Sequence, residues 1–406
     1  MHWSVYQKSA RRRRIWPILF GMVGLTLVSL VGFNVLILKN SPETKQASNK
    51  VTKDLAKPSD ISSVEGRYLL NGTVTWARAV EKQANGDYSQ PFSMLDTFHR
   101  DLYDAWSTDF ECPITNNVVP YQTQISDLVF NCRPEFLPEA TKYFNIFDLA
   151  NNHTDNQGGE KGLDETRQHL KDAGAQYFGT FDPADSKNVC EVLALPVRVK
   201  KTDQNVQKAE IPVAFCGWHY FYRKPLPGEI DVMKRYAKIM PVFAFVEMGV
   251  EYHPKADAIQ NEIAHEVIDV GPEFLMANNP HWVQNTEVYK DKLIVYSPGN
   301  FIFDQTDAET MRGASLDVDM TVSYDDNIAK WLALAPSCAS FHDDCLERAE
   351  QQGLKKPKLQ LKFGVVADQN GYKQVTHKAD DATQKAVEVR MNWAETCKQL
   401  GYNRCQ

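Results

Sequence analysis

A buried strand must end somewhere, and in this chain one ends on three polar side chains. Tyr143-Phe-Asn-Ile-Phe-Asp-Leu-Ala150 is largely apolar and then stops at Asn151, Asn152 and His153. A Gly-rich loop follows (Gly158, Gly159, Gly162), then Leu163, Thr166, Leu170 and Ala173 at helical spacing, closed by Gly174. Gln176-Tyr-Phe-Gly179 supplies the returning strand. A β-loop-α unit of this kind predicts an open α/β sheet, and such sheets keep their active sites at the carboxyl ends of their strands. Taken alone, Asn and His at a strand end also fit an ordinary turn.

The amino terminus constrains location. Arg11 to Arg14 precede an uncharged, largely apolar run from Ile15 to Leu38, long enough to cross a bilayer as one helix. A cleaved signal peptide is the competing reading, but the run is long for one and no small-residue cleavage motif follows closely. With the basic residues in front, the positive-inside rule predicts a single-pass cell-membrane protein with a cytoplasmic tail and an extracytoplasmic carboxyl-terminal part. Lys8 and the four arginines give the tail +5, which leaves −12 for the rest of a chain whose net charge is −7. An acidic external part argues against nucleic acid as a partner. All eight cysteines lie beyond the apolar run, where thiols are usually oxidised. None forms a C-x-x-C pair. Short separations favour Cys112 with Cys132, Cys338 with Cys345 and Cys397 with Cys405; Cys190 and Cys216 are either a fourth pair or buried thiols.

These features divide the chain into a basic tail (1–14), a transmembrane helix (15–38), a polar stalk (39–66), a main domain (67–335) and a cysteine-containing extension with a hairpin (336–406) packed on that domain. Within it, Tyr68 to Val74, Leu128 to Asn131, Glu191 to Val199, Ile211 to Gly217, Pro241 to Val246, Phe274 to Asn279 and Leu293 to Ser297 read as strands. Met94 to Trp106 and Ala256 to Val270 read as amphipathic helices, and Leu359 to Asp368 with Tyr372 to His377 as a hairpin turning at Asn370-Gly371. The interleaving predicts a mixed α/β fold.

Polar clusters recur at five strand ends: Asp109 with Glu111, Asn151 to His153, Glu247 with Glu251, Asn278 to His281, and Ser297 to Phe301 with Asp304. Carboxylates, amides and imidazoles converging from several strands point to a metal site more than to a nucleophile triad. Two divalent ions about four ångströms apart can clamp a phosphoryl oxygen and generate hydroxide at neutral pH. No Ser nucleophile elbow or P-loop is present.

In order, Glu111-Cys-Pro-Ile, Leu149-Ala-Asn-Asn-His153, Gly249-Val-Glu-Tyr252, Asn279-Pro-His281 and Tyr296-Ser-Pro-Gly-Asn-Phe-Ile-Phe-Asp304 resemble the bacterial capsule-synthesis CapA family, linked to poly-γ-glutamate synthesis. The resemblance covers about Arg67 to Asp304. It implies a four-layer αββα sandwich like that of calcineurin-like metallophosphoesterases, here preceded by one transmembrane helix, with a divalent metal of unspecified identity in a cleft at the strand ends. It also implies action at the cell envelope, with the membrane, capsule-synthesis membrane proteins and an anionic polymer as partners. Three departures bear on the metal. The family's strand-end Gly-Asp is Gly72-Thr73 here, its His-Trp-Gly-x-Glu is Glu247-Met-Gly-Val-Glu251, and its His-Pro-His is Asn279-Pro280-His281. A neutral hydroxyl is a poor ligand for a hard dication. The ligands that the resemblance leaves are Glu111, Asn152, His153, Glu247 and His281, with His153 and Glu251 as the catalytic candidates, Glu251 being the general base. Two roles follow: an accessory protein of polymer synthesis, tethering or export with a degenerate metal site, or an active hydrolase of a phosphoester or polymer amide.

Overall fold

The computed structural model describes residues 61–181, 188–220, 224–338 and 342–402. The basic tail, the Ile15–Leu38 run and most of the stalk lie outside them. Among the described residues no helix is long and apolar enough to cross a membrane.

Among the described residues fourteen strands form one hydrogen-bonded network. In chain order they are β1 (Ile61–Val74), β2 (Ala105–Phe110), β3 (Ile146–Asp148), β4 (Gln176–Phe178), β5 (Cys190–Lys201), β6 (Val206–His219), β7 (Val242–Glu247), β8 (Phe274–Asn278), β9 (Thr286–Tyr289), β10 (Lys292–Val295), β11 (Asn300–Ile302), β12 (Arg312–Val322), β13 (Leu359–Asn370) and β14 (Thr376–Lys378). The long path runs β14-β13-β12-β1-β5-β6-β7-β8-β10-β9. β1 is the hinge of the network. Its first half pairs antiparallel with β12 and β5, and its second half pairs in parallel with β2 and β11. β2, β3 and β4 continue in parallel from there, so the β-loop-α-β unit around His153 forms as its sequence requires.

Alternation on the parallel strands explains the layering. Leu70, Ala105, Ile146 and Phe178 face one way and join a core with Leu195, Phe215, Phe243 and Val318 of the long path. Phe178 packs across at 5.2 Å from Phe215 and 4.9 Å from Phe245. Their neighbours Leu69, Trp106 and Phe147 face the other way, into a second core with Trp76, Phe92, Phe98, Leu163 and Leu170. Burying each such side chain stabilises the fold by roughly 1.5–3 kcal/mol.

Several expectations change. Met94–Trp106 is not one helix: two 3₁₀ segments, Leu95–Phe98 and Arg100–Leu102, separate at His99 in the left-handed region (φ 57°), and Trp106 already belongs to β2. Leu128–Asn131 forms no strand; Leu128 ends helix Tyr121–Asp127 with φ 53°, and only Cys132 bridges to Ile114. β1 begins at Ile61, within the stretch read as stalk, because Ile61 and Val64 are buried between β12 and β5. The hairpin forms, with Asn370 opposite Thr376 and the turn spanning 371–375. Cys112–Cys132, Cys190–Cys216 and Cys338–Cys345 are disulfides. Cys190 and Cys216 face each other across β5 and β6. Cys397 is also disulfide-bonded, and Cys405 lies outside the described residues.

Candidate active site

Register builds the site. Thr73 of β1 is opposite Asp109 of β2, which is opposite Asp148 of β3, while Glu247 of β7 is opposite Asn278 of β8. Parallel neighbours end together, so one edge of the network collects Asp109, Glu111, Asp148, Glu247 and the loops bearing His153 and His281. β1 approaches this edge closely: a Cβ on Gly72 would lie 2.1 Å from the Gly299 carbonyl oxygen, and only glycine fits.

Burial dominates the electrostatics. Asp109, Glu111, Asp148 and Glu247 are each at most 4% exposed. Desolvation pushes the Asp109 carboxyl up to about 6, although donors from Thr73 and Asn151 oppose it. Glu111, Asp148 and Glu247 are raised well above the usual range, again by desolvation first and by mutual repulsion second. The imidazoles move the other way. Desolvation takes His153 and His281 down to about 4, with the Arg78 charge adding to the effect on both. Burial at this edge therefore favours the uncharged forms of both its carboxyls and its imidazoles.

Both imidazoles are oriented by amides. His153 Nδ1 lies 2.8 Å from Asn156 Oδ1, and that oxygen also accepts the Phe130 amide at 2.9 Å, which fixes which way the Asn156 side chain faces. His281 Nδ1 lies 2.7 Å from Asn300 Oδ1, while Asn300 Nδ2 donates to Gln305 and to the Thr310 carbonyl. In each case Nδ1 carries the proton. Each Nε2 is left with its lone pair toward a carboxyl group: 3.7 Å from Glu111 Oε1 for His153, and 3.8 Å from Glu251 Oε1 for His281. His281 is close enough to His153 to lower its proton affinity further, so the two distant motifs share one cleft.

Of the other sequence candidates, Asn152 enters through its backbone, whose N–H donates to Glu247 Oε2 at 2.7 Å. Glu251 is at the rim, with its side chain 44% exposed. Thr73 Oγ1 donates to Asp109 Oδ2 at 2.8 Å, and Asn151 Nδ2 to Asp109 Oδ1 at 3.1 Å. Both oxygens of Asp109 are thus taken by neutral donors. Among the described residues no three His, Cys, Asp or Glu side chains group to hold a metal ion. Imidazoles presented through Nε2 and backed by amides suit a metal, but each faces a single carboxyl group, short of the three ligands a metal site needs.

The sequence motifs did not single out Asp148 or Arg78 as site residues, and they placed Asn278 at a strand end without a role. Asn278 Oδ1 is buried without a partner. Asp148 had a signal, since it ends the strand that leads into Asn151. Arg78 pairs with Asp304 and lies over the Phe130 and Phe303 rings, closing the cleft beside the imidazoles.

A family model described as "Bacterial capsule synthesis protein PGA_cap" matches residues 67–305. Over 212 residues the chain is 29% identical to "Capsule biosynthesis protein CapA" of Bacillus anthracis, covering 50% of this chain and 51% of that protein. Over 76 residues it is 34% identical to "PGA biosynthesis protein CapA" of Bacillus subtilis (strain 168), covering 19% of this chain and 20% of that protein. The chain therefore spans about half the length of the first of these curated relatives and a fifth of the second. Among solved structures, TT1561 of Thermus thermophilus overlaps 62% of this chain and 94% of its own at 12% identity, with a TM-score of 0.32 that carries no conclusion about fold or function.

Proposed function

We propose, from the premise that this chain belongs to the bacterial capsule synthesis protein PGA_cap family, that it is a membrane-anchored extracytoplasmic protein supporting synthesis, tethering or export of an anionic capsule polymer such as poly-γ-glutamate. The cleft serves this role with a degenerate metal site. One observation carries the second statement: the Thr73 hydroxyl sits on Asp109 at the strand end where the family pattern has a carboxylate. A carboxylate lost there removes an anionic ligand, and anionic ligand count is a main determinant of affinity for hard divalent ions. The two facing strand portions, with apolar cores on both sides of the parallel strands, support reading the fold as the four-layer αββα sandwich of metallophosphoesterases. Disulfides joining Cys112–Cys132, Cys190–Cys216 and Cys338–Cys345 support an oxidising compartment. The anchor rests on the Arg11–Leu38 sequence.

The His281–Glu251 and His153–Glu111 contacts favour a second reading, an active hydrolase of a phosphoester or polymer amide in which Glu251 is the general base. Metal content and phosphodiester turnover of the purified full chain separate the two. The accessory reading expects fewer than two metals per chain and turnover near background. Two metals per chain together with about one turnover per second or faster would establish the hydrolase instead.

A further inference from the structure

We propose that Arg78 anchors the ligand of this cleft, its guanidinium Nε–H donating to a carboxylate oxygen between the walls made by Phe130 and Phe303. The inference rests on the polymer reading above and gives it a binding residue.

The guanidinium carbon lies 4.1 Å from the Phe130 ring centroid and 5.6 Å from that of Phe303. The same two rings back the imidazoles, Phe130 at 4.1 Å from His153 and Phe303 at 4.9 Å from His281. Tyr252 stacks on His281 at 5.9 Å. The cation therefore shares one small aromatic-walled space with both histidines. Asp304 fixes its plane, taking the Nη2 proton on one oxygen and the Ala79 amide at 3.4 Å on the other.

A purely structural ion pair leaves two facts without a cause. Arg78 Nε is buried and has no acceptor, although an unmade bond from a buried charged donor is costly. The residue also sits at φ 51°, a conformation unfavourable for a side chain with a Cβ and one that structures tolerate chiefly at binding sites and switches. An incoming acceptor accounts for the first, and the second sets the residue in strained backbone of the kind found at binding sites. A carboxylate supplies that acceptor with charge assistance.

The test uses the full chain with arginine labelled with nitrogen-15. It is titrated with a γ-linked pentaglutamate and, separately, with inorganic phosphate. The Arg78 Nε–H resonance, identified through its contact with the Phe130 ring, is followed together with calorimetric affinity. The pentaglutamate is expected to move that resonance, and Arg78→Lys, which keeps the charge and loses this donor, is expected to bind roughly tenfold more weakly. The resonance is read on the unaltered chain, so it decides the matter even if Arg78→Lys does not fold. An unmoved resonance, or a lysine variant binding within about twofold of the original, overturns the assignment and leaves the polymer reading standing. Movement with phosphate alone overturns the carboxylate class. No binding of pentaglutamate by the unaltered chain overturns the polymer reading and this inference with it.

Discussion

Asp368 on β13 is fully buried, and neither carboxyl oxygen has a hydrogen-bond partner. It faces Gly313 of β12, where a side chain is excluded because a Cβ would lie 2.4 Å from Asp368 Oδ1 and 2.2 Å from the Asn300 carbonyl oxygen. Desolvation alone raises this carboxyl well above its ordinary value of 3.8. The folded state therefore binds a proton that the unfolded chain releases, and stability falls as pH rises from the unfolded value toward the folded one. Within that window each pH unit costs about 1.4 kcal/mol, and the loss levels off once the pH passes the folded value. Asp368→Asn keeps the shape and removes the titration. Its stability relative to the parent, from denaturant unfolding of the same preparation at several pH values, should rise as the pH increases above the unfolded value of 3.8, by at most about 1.4 kcal/mol per pH unit. Other buried carboxyls cancel in the difference. A difference that is flat across this range would refute the reasoning, because it would mean that Asp368 ionises as easily in the folded state as in the unfolded one.

Thr73→Asp places a second carboxylate against Asp109, so thermal unfolding in chelator should drop, and added manganese should recover more stability in the variant than in the parent. Thr376→Val removes the hydroxyl that donates to the Phe301 carbonyl; denaturant unfolding should show a loss of about 1–3 kcal/mol, and Thr376→Ser should restore most of it. Reducing the Cys190–Cys216 bridge, which closes a separation of 26 residues, or replacing both cysteines with serine, should cost about 2–4 kcal/mol. Thiol labelling of the unreduced chain checks the same bond, with few reactive groups expected.

The β-loop-α-β unit and the strand ends were legible because they depend on local pattern: an apolar run, glycines and a helical repeat specify themselves within a short stretch of chain. The convergence of His153 and His281 was legible as well, because parallel strands in one network must finish at a common edge. Met94–Trp106 misled because its apolar residues serve two kinds of element; Leu95 and Phe98 pack from short 3₁₀ turns while Trp106 packs from a strand. Amphipathic spacing cannot tell a helix from turns that bury the same residues. Asn152 shows another limit. Its place in the motif predicted a ligating side chain; its backbone N–H also donates to Glu247, a contact that sequence could not foresee.

What sequence could least reveal is how the segment beyond the family match holds the site. Asn370 Nδ2 donates to the Phe303 carbonyl at 2.6 Å, Thr376 donates to that of Phe301, and the Asn370 amide donates to the Met311 carbonyl. These bonds fix the backbone of β11 and the residues just after it, where Phe301 packs on Trp106, Phe303 packs on His281 and Asp304 holds Arg78. Asn300 at the head of the same strand orients His281. Residues 359–378 therefore help to set the position of an imidazole and a guanidinium through the backbone they hold. The hairpin pattern predicted two strands and a turn; that those strands would brace the rear of the cleft follows only from the pairing of β13 with β12, a long-range register that no local periodicity encodes.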